Sequence, residues 1–231
     1  MTTFTGVTAP LYNDLIDRGQ NILIAGMAGS GKSVMLNGMI NSILYKSTTD
    51  HKMALCDVKV VEFSRYANTR HCIGCAKTPK EVEDLLEGIM RLISARFDNA
   101  EKKGIKIYDG STLHLFVDEM ADLVLTSKKA TDLLQRICQL GRAAKIQVVC
   151  ATQCPLASVI PTRIKVNFPI VIGLHTQTAQ HSRNILEVGG CEDLPMFGEA
   201  LIKYPTTGIE RQTVTMIPEE WLDKVVEQDR K

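Results

Sequence analysis

Eight consecutive residues carry the clearest chemistry in this 231-residue chain: Gly26-Met27-Ala28-Gly29-Ser30-Gly31-Lys32-Ser33. They match the pattern G-x-x-x-x-G-K-[ST] at every fixed position. Three glycines let successive backbone N–H groups turn inward around phosphate oxygens, and a helix N-terminus behind them adds partial positive charge. Lys32 would reach the β- and γ-phosphates of a nucleotide, and the Ser33 hydroxyl would ligate Mg²⁺. Gly26, Met27, Ala28, Gly29, Ser30, Gly31, Lys32, Ser33 and Val34 are the candidate nucleotide-binding residues. The competing reading is a chance glycine-rich turn. An apolar strand before the loop and a helix after it weigh against that.

The second signal is Leu113-His114-Leu115-Phe116-Val117-Asp118-Glu119. A buried strand that ends in two carboxylates is costly unless the charges meet a cation. Asp118 fits as a residue holding Mg²⁺. Glu119 fits as the base that positions and deprotonates water for attack on the γ-phosphate. The plainer alternative is a strand end followed by a helix-capping acid. Val148–Ala151 runs into Thr152-Gln153, polar groups at the end of a strand where open α/β sheets bind ligands. Gln153 could sense phosphate there, or simply belong to a polar turn. Arg142, in Gly141-Arg142-Ala143-Ala144, could act on a neighbouring subunit's nucleotide as an arginine finger. It could equally complement a helix dipole.

These residues need a scaffold, and the pattern supplies one. Short apolar runs alternate with helical stretches, as in a mostly parallel sheet covered by helices. Strands are predicted at Asn21–Ala25, Met53–Cys56, Leu113–Val117, Ile146–Ala151 and Phe168–Leu174, with edge strands at Ala200–Tyr204 and Arg211–Met216. Helices are predicted at Lys32–Tyr45, Thr131–Ala144 and Thr178–Glu187. The longest helix opens at Thr78-Pro79-Lys80-Glu81, with Thr78 as N-cap and Glu81 completing a capping box, and Gly104 ends it. The charged tail from Pro218 reads as a surface helix anchored by Trp221.

Composition sets the outer limits. The chain is 45% apolar and 23% charged, which is ordinary for a soluble globular protein and excludes disordered, collagen-like and coiled-coil classes. The longest charge-free stretches, Ile146–Thr162 and Val166–Ser182, are broken by polar residues and Pro, so no membrane span is expected. No basic patch and apolar run marks a secretory signal at the N-terminus. Seven cysteines, in a chain too large to need disulfide staples, favour free thiols in a reducing, cytoplasmic setting. A net charge of +1 hides an asymmetry. Ser127–Arg183 holds eight Lys and Arg against Asp132 alone, so that window is +7 and the remainder −6. A one-sided basic half suggests an anionic partner.

The chain resembles the motor domain of the FtsK/SpoIIIE family, within the FtsK–HerA group of P-loop ATPases. The likeness is carried by GMAGSGKSVM at Gly26–Met35, NGMINSILYK at Asn37–Lys46, and Asp57-Val58-Lys59. It continues through VDEMADL at Val117–Leu123, GRAAKI at Gly141–Ile146, ATQCP at Ala151–Pro155 and SRNIL at Ser182–Leu186. Gly189, Gly190 and Gly198 fall in a family-like closing segment. The resemblance implies a RecA-like α/β fold in one domain over 1–231, its core near 12–217 and a charged tail at 218–231. It implies a homo-hexameric ring around double-stranded DNA that hydrolyses ATP with Mg²⁺ to translocate the duplex. It favours Arg142 as the finger and Gln153 as the sensor, and it makes Arg183 a residue of the subunit boundary. Arg163 and Lys165 would lie on or near loops touching DNA phosphates.

The chain departs from that family in three respects. Membrane helices, a separate N-terminal subdomain and a DNA-reading winged helix are not seen. Cys154 stands where arginine is usual, and Asp57-Val58-Lys59 lacks the common proline. A stripped motor of this kind suits a mobile element, a conjugation system or a phage, with adaptor or relaxase-type proteins supplying targeting. Two rivals stay open: a conjugative-coupling or protein-secretion ATPase of the same superfamily, and a slow nucleotide-dependent regulatory or assembly module.

Other features read as structural. Cys72-x-x-Cys75 has no second pair for a four-ligand zinc site. Cys56, Cys138, Cys150 and Cys191 read as small core hydrophobes, and His114 and His175 as packed strand residues. The mixed charges of the long helix, Arg96 among them, read as a solvated face.

Overall fold

The structure, a computed structural model, describes residues 10–46, 48–59, 62–153 and 160–230. Its strands are β1 Ile22–Ala25, β2 His51–Cys56, β3 Cys72–Ala76, β4 Thr112–Val117, β5 Ile146–Thr152, β6 Ile170–Gly173, β7 Glu199–Tyr204 and β8 Gly208–Thr213. They form one sheet in the order β3-β2-β4-β5-β1-β6-β7-β8. The first six in that order pair in parallel, while β7 and β8 are antiparallel additions. The helices are α1 Pro10–Asp17, α2 Lys32–Lys46, α3 Pro79–Lys103, α4 Met120–Thr126, α5 Lys128–Leu140, α6 Thr162–Lys165, α7 Ala179–Leu186 and α8 Glu219–Arg230.

Strand alternation divides the core into two layers. Ile22 and Ile24 join Leu55, Phe116, Val149 and Ala151 in a cluster with residues of α1, α2 and α8. Leu23 joins Leu115, Val148 and Cys150 on the other face, with Leu86, Ile89 and Ile93 of α3 and Leu134 and Ile137 of α5. Ala25 and Val171 meet Ile185 and Leu186 of α7 in a third cluster. The expected mostly parallel sheet with helices on both faces is therefore present.

The long helix α3 is bounded as its sequence predicts. Thr78 Oγ1 accepts the Glu81 N–H at 3.3 Å, and Glu81 Oε2 accepts the Thr78 N–H at 3.2 Å. Gly104 closes the helix in the left-handed region, at φ 66. The helix that follows the glycine loop is held by close approach. A Cβ on Gly38 of α2 would lie 2.3 Å from the Tyr12 ring, so α1 can rest on α2 only because that side chain is missing. Tyr12 is fully buried and its hydroxyl donates to the Thr215 carbonyl at 2.6 Å.

Several expectations need correction. The α5 helix starts at Lys128, where Ser127 caps it, and stops at Leu140, so Arg142 lies in a turn beyond the helix. β7 is not an edge strand, because it pairs with both β6 and β8. The last strand is Gly208–Thr213, earlier than the predicted Arg211–Met216. Arg96 is not solvated. It is buried and donates to the carbonyls of Ala144 and Lys145 at 2.7 and 3.0 Å, tying α3 to the turn ahead of β5, where the Lys145 carbonyl also accepts the Leu113 N–H. His175 lies past the end of β6, in a loop.

The charged tail is helical, but one face of it is core. Leu222, Val225 and Val226 of α8 are buried in the layer that covers α2. Its Asp229 is 2% exposed, and a carboxylate so placed must be paired. It accepts from His71 Nδ1 at 2.7 Å and from the His71 backbone N–H at 3.3 Å. Trp221 lies beside Tyr45, with ring centroids 6.3 Å apart.

Candidate functional site

The glycine loop follows the carboxyl end of β1, Asp118 and Glu119 follow β4, Gln153 follows β5, and Lys59 and Glu62 follow β2. All of these strands are parallel, so their carboxyl ends share one edge of the sheet, where such folds bind ligands. There they surround a cleft of about 400 Å³ lined by Ala28, Gly29, Gly31, Lys32, Ser33, Val34, Lys59, Glu62, Asp118, Glu119 and Gln153.

The loop has the shape of a phosphate cradle. Gly29 and Gly31 adopt φ of 75 and 103, a region that side chains disfavour. A Cβ on Gly31 would meet nothing within 4 Å, so the backbone stands open where an anion would approach. The Ser30 hydroxyl is buried with no hydrogen-bond partner among the described residues. Lys32 Nζ donates to the carbonyls of Gly26 and Met27 at 2.9 and 2.7 Å. Burial lowers its pKa, against the pull of Glu119 and Asp118.

Opposite the loop stand the carboxylates. Burial, with Glu62 and Asp57 nearby, pushes the Asp118 carboxyl up to about 6. Glu119 is 8% exposed. One of its oxygens accepts the Ala121 N–H at 3.4 Å, capping α4, and both lie 3.2 Å from the Gln153 N–H. The capping role considered from the sequence is thus real and coexists with a place in the cleft. Lys59 Nζ lies 3.8 Å from Glu119 and 3.3 Å from Asp122. Burial opposes the Lys59 charge, but these carboxylates lift its pKa. Glu62 accepts the Ser33 hydroxyl proton at 2.6 Å. The Ser33 hydroxyl and the Asp118 carboxylate are hard oxygen donors, and Mg²⁺ takes only one or two such groups from a protein beside phosphate and water, so the residues fit Mg²⁺.

The fold does not bring every candidate to the cleft. Arg142 is exposed in the turn that precedes β5, whereas Gln153 follows the end of that strand. The seven residues of β5 span roughly 20 Å at the usual rise per residue. Arg142 therefore occupies the far edge of the sheet from its own cleft. Lys165 and Arg183 line a second groove of about 500 Å³, with Glu187 and Lys203. Lys165 Nζ donates to the Asn184 carbonyl, and burial lowers its pKa. Arg163 is exposed and pairs with Asp132 at 3.0 Å. Cys154 lies outside the described residues.

Sequence reasoning missed Glu62 and quoted Lys59 only as part of a strand end. Nothing local marks Glu62, because an acid in a loop is the commonest of surface residues. Only the return of the chain after β2 sets it against Ser33.

Comparison with known proteins agrees with this geometry. The FtsK/SpoIIIE family model matches residues 3–111. A Helicobacter pylori (strain J99) protein named DNA translocase FtsK is 33% identical over 235 residues, 94% of this chain and 28% of that protein. The chain thus spans about a quarter to a third of the length of the curated relatives it matches. Among solved structures, the pCW3 conjugation coupling protein TcpA, with ATPγS, superposes with a TM-score of 0.79 at 22% identity, covering 92% of this chain and 65% of that one. EssC (ATPases 2 and 3) of Geobacillus thermodenitrificans gives 0.80 at 15% identity, covering 91% and 43%. Among the described residues no helix is long and apolar enough to cross a membrane.

Proposed function

The chain carries a domain of the FtsK/SpoIIIE family, and on that premise we propose that it is an ATP-hydrolysing motor acting on double-stranded DNA. The observation that carries the ATPase reading is the convergence of Lys32, Ser33, Asp118, Glu119 and Gln153 on one cleft. The relatives named DNA translocase, similar over most of the chain, support DNA as the track.

In this reading the loop N–H groups and Lys32 hold the β- and γ-phosphates, with Lys32 turning from the Gly26 and Met27 carbonyls to do so. Ser33 and Asp118 hold Mg²⁺, which when bound offsets phosphate charge. Glu119 orients a water and accepts its proton as the water oxygen bonds to the γ-phosphorus and ADP leaves. The Gln153 N–H fixes the Glu119 carboxylate, and in this reading the Gln153 side chain senses the γ-phosphate. Arg142 works in trans, since its own cleft is out of reach. It completes the site of the next copy in a homo-hexameric ring. Arg183 lies near that boundary, and Arg163 and Lys165 meet DNA phosphates. Adaptor or relaxase-type proteins supply targeting, the setting is cytoplasmic, and 1–231 acts as one motor domain.

The test is the ATPase rate of purified protein with and without long duplex DNA across a salt series. Phosphate contacts release counterions, so stimulation by DNA should fade as salt rises. Hydrolysis indifferent to DNA would replace this reading with a secretion-type motor, and no hydrolysis would replace it with a regulatory module.

A further inference from the structure

Glu62 meets the Ser33 hydroxyl at 2.6 Å, and its place is fixed from several sides. The next residue, Phe63, is fully buried, packs edge-on to Phe116 at 6.3 Å, and donates its N–H to Asp57 Oδ2 at 2.8 Å. Tyr66, also fully buried, donates its hydroxyl to Asn37 Oδ1 of α2 at 2.6 Å. The segment carrying Glu62 is therefore bound both to the end of β2 and to the helix that begins at Lys32. A loop acid that merely faced solvent would not need such support.

A serine hydroxyl has one proton and two lone pairs. A cation can be held only through a lone pair, so the proton must point elsewhere. Glu62 takes that proton and leaves the lone pairs of Ser33 facing the cleft it shares with Asp118. We propose that Glu62 is the positioning residue of the Mg²⁺ site, acting through Ser33 by holding its hydroxyl in the orientation that binds the cation. This rests on the nucleotide-binding reading above and extends it to a residue outside the glycine loop and the β4 carboxylates.

The experiment measures binding of a fluorescent ATPγS analogue to the full chain in EDTA and across a Mg²⁺ titration. In EDTA, Glu62→Ala still binds the analogue, at least as tightly as the wild type because one carboxylate has left the cleft, which also shows that the variant is folded. With Mg²⁺, its half-saturating concentration rises about tenfold, the equivalent of roughly 1.4 kcal/mol. Glu62→Gln, whose amide oxygen still accepts the Ser33 proton, recovers most of that loss. Because Glu62 acts through Ser33, the Ser33→Ala/Glu62→Ala pair is no worse than Ser33→Ala alone. An unchanged Mg²⁺ requirement in Glu62→Ala, or losses that add in the pair, would overturn the proposal while leaving the nucleotide site standing. Failure of the wild type to bind the analogue at all would overturn the proposed function, and this inference with it.

Discussion

The Glu119 carboxylate holds the backbone N–H of Gln153 at 3.2 Å from each of its oxygens. Residues 34 apart in sequence are thereby tied where β4 and β5 end side by side. A carboxylate so held cannot swing away from the cleft, and it leaves the remaining lone pairs for a water proton. Glu119→Gln keeps an acceptor for the Gln153 N–H but cannot take that proton. Turnover should fall about 10²–10⁴-fold with nucleotide binding retained, as measured by single-turnover hydrolysis beside equilibrium binding. Full activity in this variant would remove Glu119 as the base.

Lys32→Ala and Arg142→Ala should each be inactive for different reasons. The first loses the cation at its own phosphate loop. The second loses a cation that its own cleft never sees, with a drop of about 10³–10⁵. Mixed together, the two proteins should regain hydrolysis, because some interfaces then pair an intact loop with an intact arginine. Steady-state ATPase of the mixture checks this, and a mixture as inactive as its parts would exclude action in trans.

Acid should unfold the protein partly through His114. This ring is fully buried, donates from Nδ1 to Gln147 Oε1 at 2.7 Å, and accepts at Nε2 from His51 Nδ1 at 2.9 Å. Burial is the main cause that drives its pKa down to about 3, from 6.5. The unfolded chain binds this proton more readily than the folded one, so stability is full above pH 6.5 and falls as pH drops toward 3. His114→Gln should flatten that limb of a melting-temperature profile. An acid limb unchanged in the variant would place the titration elsewhere.

Asp118 works with the opposite sign. Its carboxyl is raised to about 6 from 3.8, so the folded state binds this proton more readily, and the contribution to stability is lost as pH rises through that window. After allowance for solvent screening the effect is on the order of 1 kcal/mol. Asp118→Asn should melt higher than wild type at pH 7 and about equal to it at pH 4, with nucleotide and Mg²⁺ absent. A lower melting point at pH 7 would show that the carboxylate is stabilising.

Gly38→Ala isolates the contact between α1 and α2. On helix propensity alone alanine should stabilise by about 1 kcal/mol. The 2.3 Å approach to the Tyr12 ring reverses the sign, and overpacking should cost about 1–3 kcal/mol in urea denaturation. A stabilised variant would mean that α1 can move aside.

The parts of the site that were legible in sequence are those whose chemistry and local structure coincide. The glycine loop needs positive φ and a following helix, and both are written in adjacent residues. The Thr78–Glu81 box and Gly104 fix α3 because each end satisfies its own backbone groups. Elements set by tertiary contact were harder to read. α4 begins directly after Glu119 and has seven residues, too few for a helical period to show. The buried Arg96 is indistinguishable by spacing from its solvated neighbours, since only the turn before β5 gives it carbonyls to bond. Glu62 belongs to the same class, because its meaning depends on a fold that returns the chain to Ser33.

The pairing of β1 also governs how the protein comes into being. Ile22 sits beside Val149 on one side and Ile170 on the other. The strand that suspends the glycine loop leaves the ribosome before either strand it pairs with, and finds no neighbour until more than a hundred further residues have followed. At about 5–20 residues per second, that wait for β5 is roughly 6–25 s. Strand pairs so distant in sequence are also slow to close. Through that interval the nascent chain carries the whole loop sequence, yet its cradle still lacks a sheet to hang from.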